Sequence, residues 1–257
     1  MAVRVLIGTS GWQYDSWRGP FYPREVPKRL WLPFFAERFP TVEVNNSFYM
    51  LPKAESFARW RADTPPGFVL TIKASRYITH IRRMRNAGEA VGVFLDRARH
   101  LREKLGPVLF QLPPRFAADV GLLREFLDLL PTSLRSAFEF RDRSWERDDV
   151  FAALDAAGAA FVLADRPGAR VPKVVTGGWS YVRFHQGRPG IADYPRDKLR
   201  RWAERIAASP ARETYIYFNN DPGGAAVRDA LTLTELLSGA TEVVRPRTAR
   251  SRPRGAA

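Results

Sequence analysis

The stretch AFEFR at residues 137–141 sets Glu139 and Arg141 in strict alternation with Phe138 and Phe140. Successive side chains of a β-strand point to opposite faces, so the two charges share one face and the two rings share the other. Six other short apolar runs end in the same way. Glu43 and Asn45 alternate in TVEVNNSFY, Lys73 and Ser75 in FVLTIKAS, and Gln111 closes VLFQLP. Further along stand Asp165 in AFVLAD, Arg183 and His185 in YVRFHQ, and Tyr217 and Asn219 in YIYFNND. A charge under a layer of helices is costly, which puts the polar parity on an inner face at an open end. Phe138, Phe140, Val182, Phe184, Ile216 and Phe218 then face the helices.

With VRVLIG near the start, the strand-like runs fall at 3–8, 41–48, 68–75, 108–113, 135–141, 159–165, 180–185 and 214–220. Between most of them apolar residues recur at i, i+3 and i+4, as in LWLPFFAERF, AVGVFLDRARHLREKL, VGLLREFLDLL and LRRWAERIAA. Asp119 and Asp148 are candidate helix caps, and Gly158 stands where a helix should stop. The sixth connection, RPGARVPKVVTGGW, is rich in Pro and Gly and predicts little helix. Eight alternating β and α units predict an α/β fold with a parallel sheet closed into a single (β/α)8 TIM-type barrel, irregular at its sixth connection. The barrel domain is expected over 1–240, followed by an Arg- and Pro-rich tail at 241–257 whose composition predicts disorder.

The chain has 257 residues, enough for one such domain, and its seven Trp and 17 Phe supply ample core. Without cysteine it has no disulfide framework and no thiolate chemistry, in keeping with a cytoplasmic location. No apolar run approaches the ~20 residues of a membrane helix, and the first residues enter a strand rather than a leader. The formal charge of +14 points to anionic partners, a small anion or a nucleic acid, although an arginine-rich coding bias produces the same surface. Five arginines lie in the last stretch, RPRTARSRPRGAA, and the body stays basic without them. No glycine-rich dinucleotide fingerprint follows the first strand, so no nucleotide cofactor is expected.

In barrels of this kind the working residues sit at the C-terminal strand ends and on the loops that follow. Glu43, Glu139 and Asp165 are candidates for general acid and base. As a pair they would equally suit glycoside hydrolysis, or they could simply neutralise Lys73, Arg141 and Arg183. Lys73 could form a Schiff base if desolvated, whereas nearby carboxylates would keep it charged. His185 is the best placed histidine. Glu43, Glu139, Asp165 and His185 could also hold an oxygen-preferring divalent cation, a reading not favoured here. The loops add Trp12, Tyr14, Tyr49, His80, Arg82 and Trp145. Arginine forks match phosphate and aromatic faces stack on bases or sugars. The three arginines of HIRRMRNAG either bind an anion or dock against the rim.

GTSGWQYDSWRGPFYP, VEVNNSFYMLP, KASRYITHIRR, LGPVLFQLPP, AFEFRDRSW, YVRFH and YFNND together resemble the domain of unknown function 72 family, the YecE-like proteins. The resemblance runs from about residue 5 to about residue 237. It implies a TIM-barrel fold and marks, among others, Ser10, Trp12, Tyr14, Glu43, Asn45, Phe48, Tyr49, Lys73, His80, Gln111, Glu139, Arg141, Trp145, Asp165, Arg183, His185, Asn219, Asn220 and Asp221, but it carries no accepted activity. HQGRPGIADYP departs from the family pattern, which expects a longer Gly- and Tyr-bearing seventh loop. The expectation is an enzyme, hydrolase-like, acting on a phosphate-bearing substrate such as a nucleotide or nucleic acid. The alternatives are a nucleic-acid-binding protein without catalysis and a carbohydrate-active hydrolase. Salt-dependent nucleic-acid binding would mark the first alternative.

Overall fold

The computed structural model describes residues 3–186 and 190–246. All eight anticipated strands form: β1 (Arg4–Ser10), β2 (Thr41–Val44), β3 (Val69–Lys73), β4 (Leu105–Gln111), β5 (Ser136–Glu139), β6 (Ala160–Asp165), β7 (Ser180–Phe184) and β8 (Glu213–Phe218). A short ninth strand, β9 (Glu242–Val243), was not anticipated and lies just past the expected end of the domain at 240. The nine make a single curled parallel sheet, TIM-like in form, in which β2 to β8 lie side by side in sequence order. β1 lies between β8 on one side and β2 on the other, pairing Gly8 with Thr41 and Ser10 with Glu43. β9 bonds the start of β1, with Arg4 opposite Glu242. The rest of the arginine-rich tail, residues 247–257, and residues 187–189 of the atypical seventh loop lie outside the described residues.

The helices α1 (Trp31–Ala36), α3 (Ala54–Ala62), α4 (Gly88–Ala98), α5 (Val120–Asp128), α6 (Asp148–Ala156), α7 (Arg196–Ala207) and α8 (Ala225–Leu237) cover the outer face, and the single turn α2 (Asn46–Tyr49) follows the C-terminal end of β2. Asp119 caps α5 through the backbone N–H of Leu122, as its position predicts. Asp148 does not cap α6. It is the first helical residue and contributes its charge to the positive end of the helix dipole. The chain leaves α6 at Gly158, whose φ of +65° is readily adopted without a Cβ. The sixth connection has no helix. Thr176 pins it, its hydroxyl donating to Ala159 O and accepting from Phe161 N.

Two apolar layers result. The outer one joins the helices to Phe138, Phe140, Val182, Phe184, Ile216 and Phe218, as the parity required. The inner one holds Leu6, Leu109, Ala137, Ala160, Val162, Trp179, Tyr181, Tyr215 and Tyr217. Below it, at the N-terminal strand ends, Glu213 takes Arg4 on one carboxylate oxygen and Arg135 on the other, and Tyr215 Oη donates to it at 3.0 Å. Both arginine side chains there are more than 40% exposed, at 44% and 49%. Above the inner layer, Tyr217 Oη bridges the hydroxyls of Thr41 and Thr71 at 2.7 Å each. Gly8 is needed in this crowded interior, because a Cβ there would stand 2.0 Å from Thr41 O.

Candidate active site

Strand parity delivers a charged cluster to the C-terminal end of the inner face. Arg183 on β7, 1% exposed, sits between two carboxylates that are wholly buried. Its Nη1 donates to Glu139 Oε2 at 2.5 Å, and its Nη2 donates to Glu43 Oε1 at 2.7 Å and to Ser10 Oγ at 3.1 Å. Glu43 also accepts from Ser10 Oγ and from Tyr181 Oη, and Asn45 Nδ2 donates to Ser10 Oγ at 2.7 Å. The other oxygen of Glu139 faces Arg141 Nε at 2.6 Å, an ion contact not aligned as a hydrogen bond, and His185 Nε2 at 3.4 Å. Asn219 Nδ2 reaches His185 Nδ1 at 3.2 Å, which puts the proton of the neutral ring on Nε2, toward Glu139.

Electrostatics separates this cluster into a frame and a remainder. Burial alone would raise the Glu139 carboxyl, but Arg183, His185 and Arg141 outweigh it and hold its pKa well below the ordinary range. Burial likewise works against the charge on Arg183, yet Glu43 and Glu139 raise its pKa. The charges of Glu43, Glu139 and Arg183 offset one another. His185 is lowered by burial, so the ring stays neutral near pH 7 despite its carboxylate neighbour.

The remainder lines a cavity of about 510 Å³ above the frame, bordered by Tyr14, Asn45, Phe48, Tyr49, Lys73, His80, Gln111, Arg141, Arg183, Asn219 and Asp221. A space of this size suits a small molecule. Lys73 Nζ lies 4.2 Å from the centre of the Phe48 ring. Burial first, and then Arg183, lower its pKa to about 8. Glu43 and Glu139 pull the other way, but their pairing with Arg183 and Arg141 leaves the net shift downward. Asp221, marked by the family resemblance but not chosen as a site residue, has its pKa raised by burial to about 6. Its backbone is fixed from the first loop, where Trp17 Nε1 donates to Asp221 O at 2.9 Å. Tyr14 folds back to donate to Ser10 O at 2.6 Å, over Gly11, whose φ of +95° and missing Cβ leave room for it. Buried polar atoms without a hydrogen-bond partner collect here: Asn45 Oδ1, Arg183 Nε, His185 Nε2 and Asp221 Oδ1.

Several expected site residues lie elsewhere. Asp165 is on the outer face of β6, not in the inner ring, and its carboxylate accepts from Lys198 Nζ at 2.7 Å and Trp202 Nε1 at 2.6 Å. The inner positions of that strand are Ala160 and Val162, with Ala164 packed against them. Trp145 is fully buried, stacked on Phe140 at 4.4 Å with its Nε1 donating to Phe116 O. Trp12 is 3% exposed and packs edge-on against Trp60. Both tryptophans are therefore core residues at the rim. Arg82 borders a separate cavity with Tyr77 and Glu89 and donates to Tyr77 Oη at 2.9 Å. Arg83 and Arg85 lie over the Phe116 ring, so this loop docks much of its charge on the rim. Among the described residues, no three His, Asp or Glu side chains are grouped to hold a metal ion, and no helix is long and apolar enough to cross a membrane.

Comparison with known proteins places this geometry. The model of a family described as protein of unknown function DUF72 matches residues 6–254. The UPF0759 protein YunF of Bacillus subtilis is 27% identical, over 91% of this chain and 94% of its own length. The UPF0759 protein YecE of Escherichia coli is 31% identical over 53% of this chain and 48% of its own. A crystal structure of a DUF72 family protein from Thermotoga maritima superposes with a TM-score of 0.82 at 28% identity, covering 91% of this chain and 99% of that one. One from Enterococcus faecalis, 22% identical with a TM-score of 0.75, shares the fold over 92% of this chain and 98% of its own.

Proposed function

The chain belongs to the DUF72 family, and we propose that it is an enzyme acting on a small phosphate-bearing substrate, such as a nucleotide, in the cavity above Arg183. The sheet is read as a closed eight-stranded barrel, because β1 is bonded to both β2 and β8, and the cavity is then its mouth. One observation carries the reading. Among the described residues, the mouth offers Lys73 with no carboxylate oxygen within 4.0 Å of its Nζ, beside Arg141 and across a shared cavity from Asp221. The two carboxylates below are paired within the frame, and their pull on that charge is offset by Arg183 and Arg141.

The roles follow from the environments. Arg141, half-buried and held by Glu139, presents the rest of its guanidinium to an anion. Its own pKa is lowered by burial, opposed by Glu139, so binding an anion restores what burial removed. Lys73 near 8 and Asp221 near 6 stand on either side of neutrality, a spacing suited to giving and taking protons at pH 7. Glu43 and Glu139 are positioning residues that fix Arg183 and, through Ser10 and His185, the mouth walls. This assignment replaces the acid and base roles that the sequence suggested for them.

Calorimetric titration with inorganic phosphate at low and high salt tests the reading. Binding should be detectable and about tenfold weaker in Arg141→Met, a loss of about 1.4 kcal/mol. Equal affinity in the two proteins overturns it. So does salt-sensitive binding of a short oligonucleotide that persists unchanged in Arg141→Met and Lys73→Met, since the anion site would then lie outside the mouth.

A further inference from the structure

Lysine is scarce in this arginine-rich chain, and all but one of its six lysines are either paired or solvated. Lys28 meets Asp15 at 2.6 Å and Lys198 meets Asp165 at 2.7 Å. Lys104 is buried but donates to the carbonyls of Arg61 and Thr64 at 2.6 and 2.5 Å. Lys53 and Lys173 are exposed. Lys73 is drawn in from solvent, and among the described residues no carboxylate oxygen lies within 4.0 Å of its Nζ. Its neighbours are the face of Phe48 and the guanidinium groups that share the cavity wall. An ammonium so placed loses hydration without gaining a counter-ion, and its proton is correspondingly easy to remove. A neutral amine lining a cavity is a nucleophile for carbonyl carbon.

We infer that Lys73 forms an imine with an aldehyde or ketone carrying a phosphate or carboxylate group, the anionic end lying against Arg141. This inference rests on the reading of the mouth as an anion site and adds the substrate's reactive group. The Nζ lone pair forms a C–N bond to the carbonyl carbon. The Nζ proton then lost and the proton gained by the carbonyl oxygen balance, leaving a carbinolamine. The carbinolamine hydroxyl leaves as water on taking a proton from the Asp221 carboxyl, giving an iminium and the Asp221 carboxylate. Nothing is oxidised or reduced. A carboxyl with its pKa near 6 still holds a share of its protons at neutral pH, as that step requires. His80, lowered by burial and by Lys73, stays neutral beside the amine and does not compete as an acid.

Sodium cyanoborohydride with pyruvate or glyceraldehyde 3-phosphate would fix such an imine as a secondary amine, and peptide mass spectrometry would place it. The expected result is an adduct on Lys73 formed about tenfold faster than on Lys53 or Lys173, with a rate half-maximal near pH 8. Acetone, which has no anionic group, should lose most of that preference, and Lys73→Arg should carry no adduct at 73. Adducts on the exposed lysines with Lys73 unmodified overturn the inference. If phosphate binding is intact in that protein, the imine fails and the anion site stands. If Lys73 reacts selectively yet pyruvate and acetone are equal and phosphate does not bind, the anion site fails instead.

Discussion

The two ends of the sheet interior use the same chemistry to opposite effect. At the N-terminal end one carboxylate, Glu213, is held by two arginines whose side chains remain in water, and Tyr215 completes the set. At the C-terminal end one arginine is held by two carboxylates, and all three are dry. The first arrangement is a plug that can relax into solvent. The second cannot relax, and around it the structure leaves an unpaired lysine, a raised aspartate and several unpartnered polar atoms. What distinguishes a site from a plug here is the unsatisfied groups that surround the ion pair, more than the ion pair itself.

The largest test of this contrast is Arg183→Met. It leaves Glu43 and Glu139 buried without a cation and should cost about 3–5 kcal/mol in denaturant unfolding, whereas Arg4→Met at the other end should cost under about 1 kcal/mol. Equal losses would erase the distinction. Tyr181→Phe removes one donor from buried Glu43 and should cost about 1–3 kcal/mol. A smaller effect of opposite sign is expected from Lys73→Met. The folded pKa of about 8 lies below the unfolded value, so the charged amine destabilises the fold up to pH 8 and ceases to do so as the pH approaches 10.5. The substitution should therefore add about 1–2 kcal/mol at pH 7, and the gain should vanish at high pH. Asp221→Asn should act in the complementary window. With the folded pKa raised from 3.8 to about 6, the penalty is absent below the unfolded value and complete above the folded one. The variant should melt with the wild type at pH 3.5 and be more stable by about 1 kcal/mol at pH 7.5.

The period-two pattern carried most of the fold and half of the site. It set Glu43, Lys73, Glu139, Arg183 and His185 on one face because each belongs to a strand with large apolar residues on the other. It failed at Asp165, where the inner positions hold small apolar residues and the acid points outward. The partners that make that tolerable, Lys198 and Trp202, are 33 and 37 residues away, a distance over which no local pattern reports. One missed residue had a signal: Tyr181 precedes Arg183 and His185 at the same spacing. Asp221, which the resemblance marked without a role, continues Tyr217 and Asn219 past the strand end. Trp12 and Trp145 had none, since a tryptophan that stacks on a ligand and one that roofs a core read alike.

Among the strands of this sheet β1 comes first in the chain and is the last to gain all its partners. Its Arg4 pairs with Glu213, 209 residues later, and Val3 accepts from Glu242 later still. On a ribosome adding ~5–20 residues per second, one edge of this strand waits roughly 10–40 s for its partner. Throughout that interval VRVLIG is an exposed, apolar edge, the kind of segment that recruits the wrong strand. Within this sheet, the strand that emerges first is thus the one whose edge stays open longest.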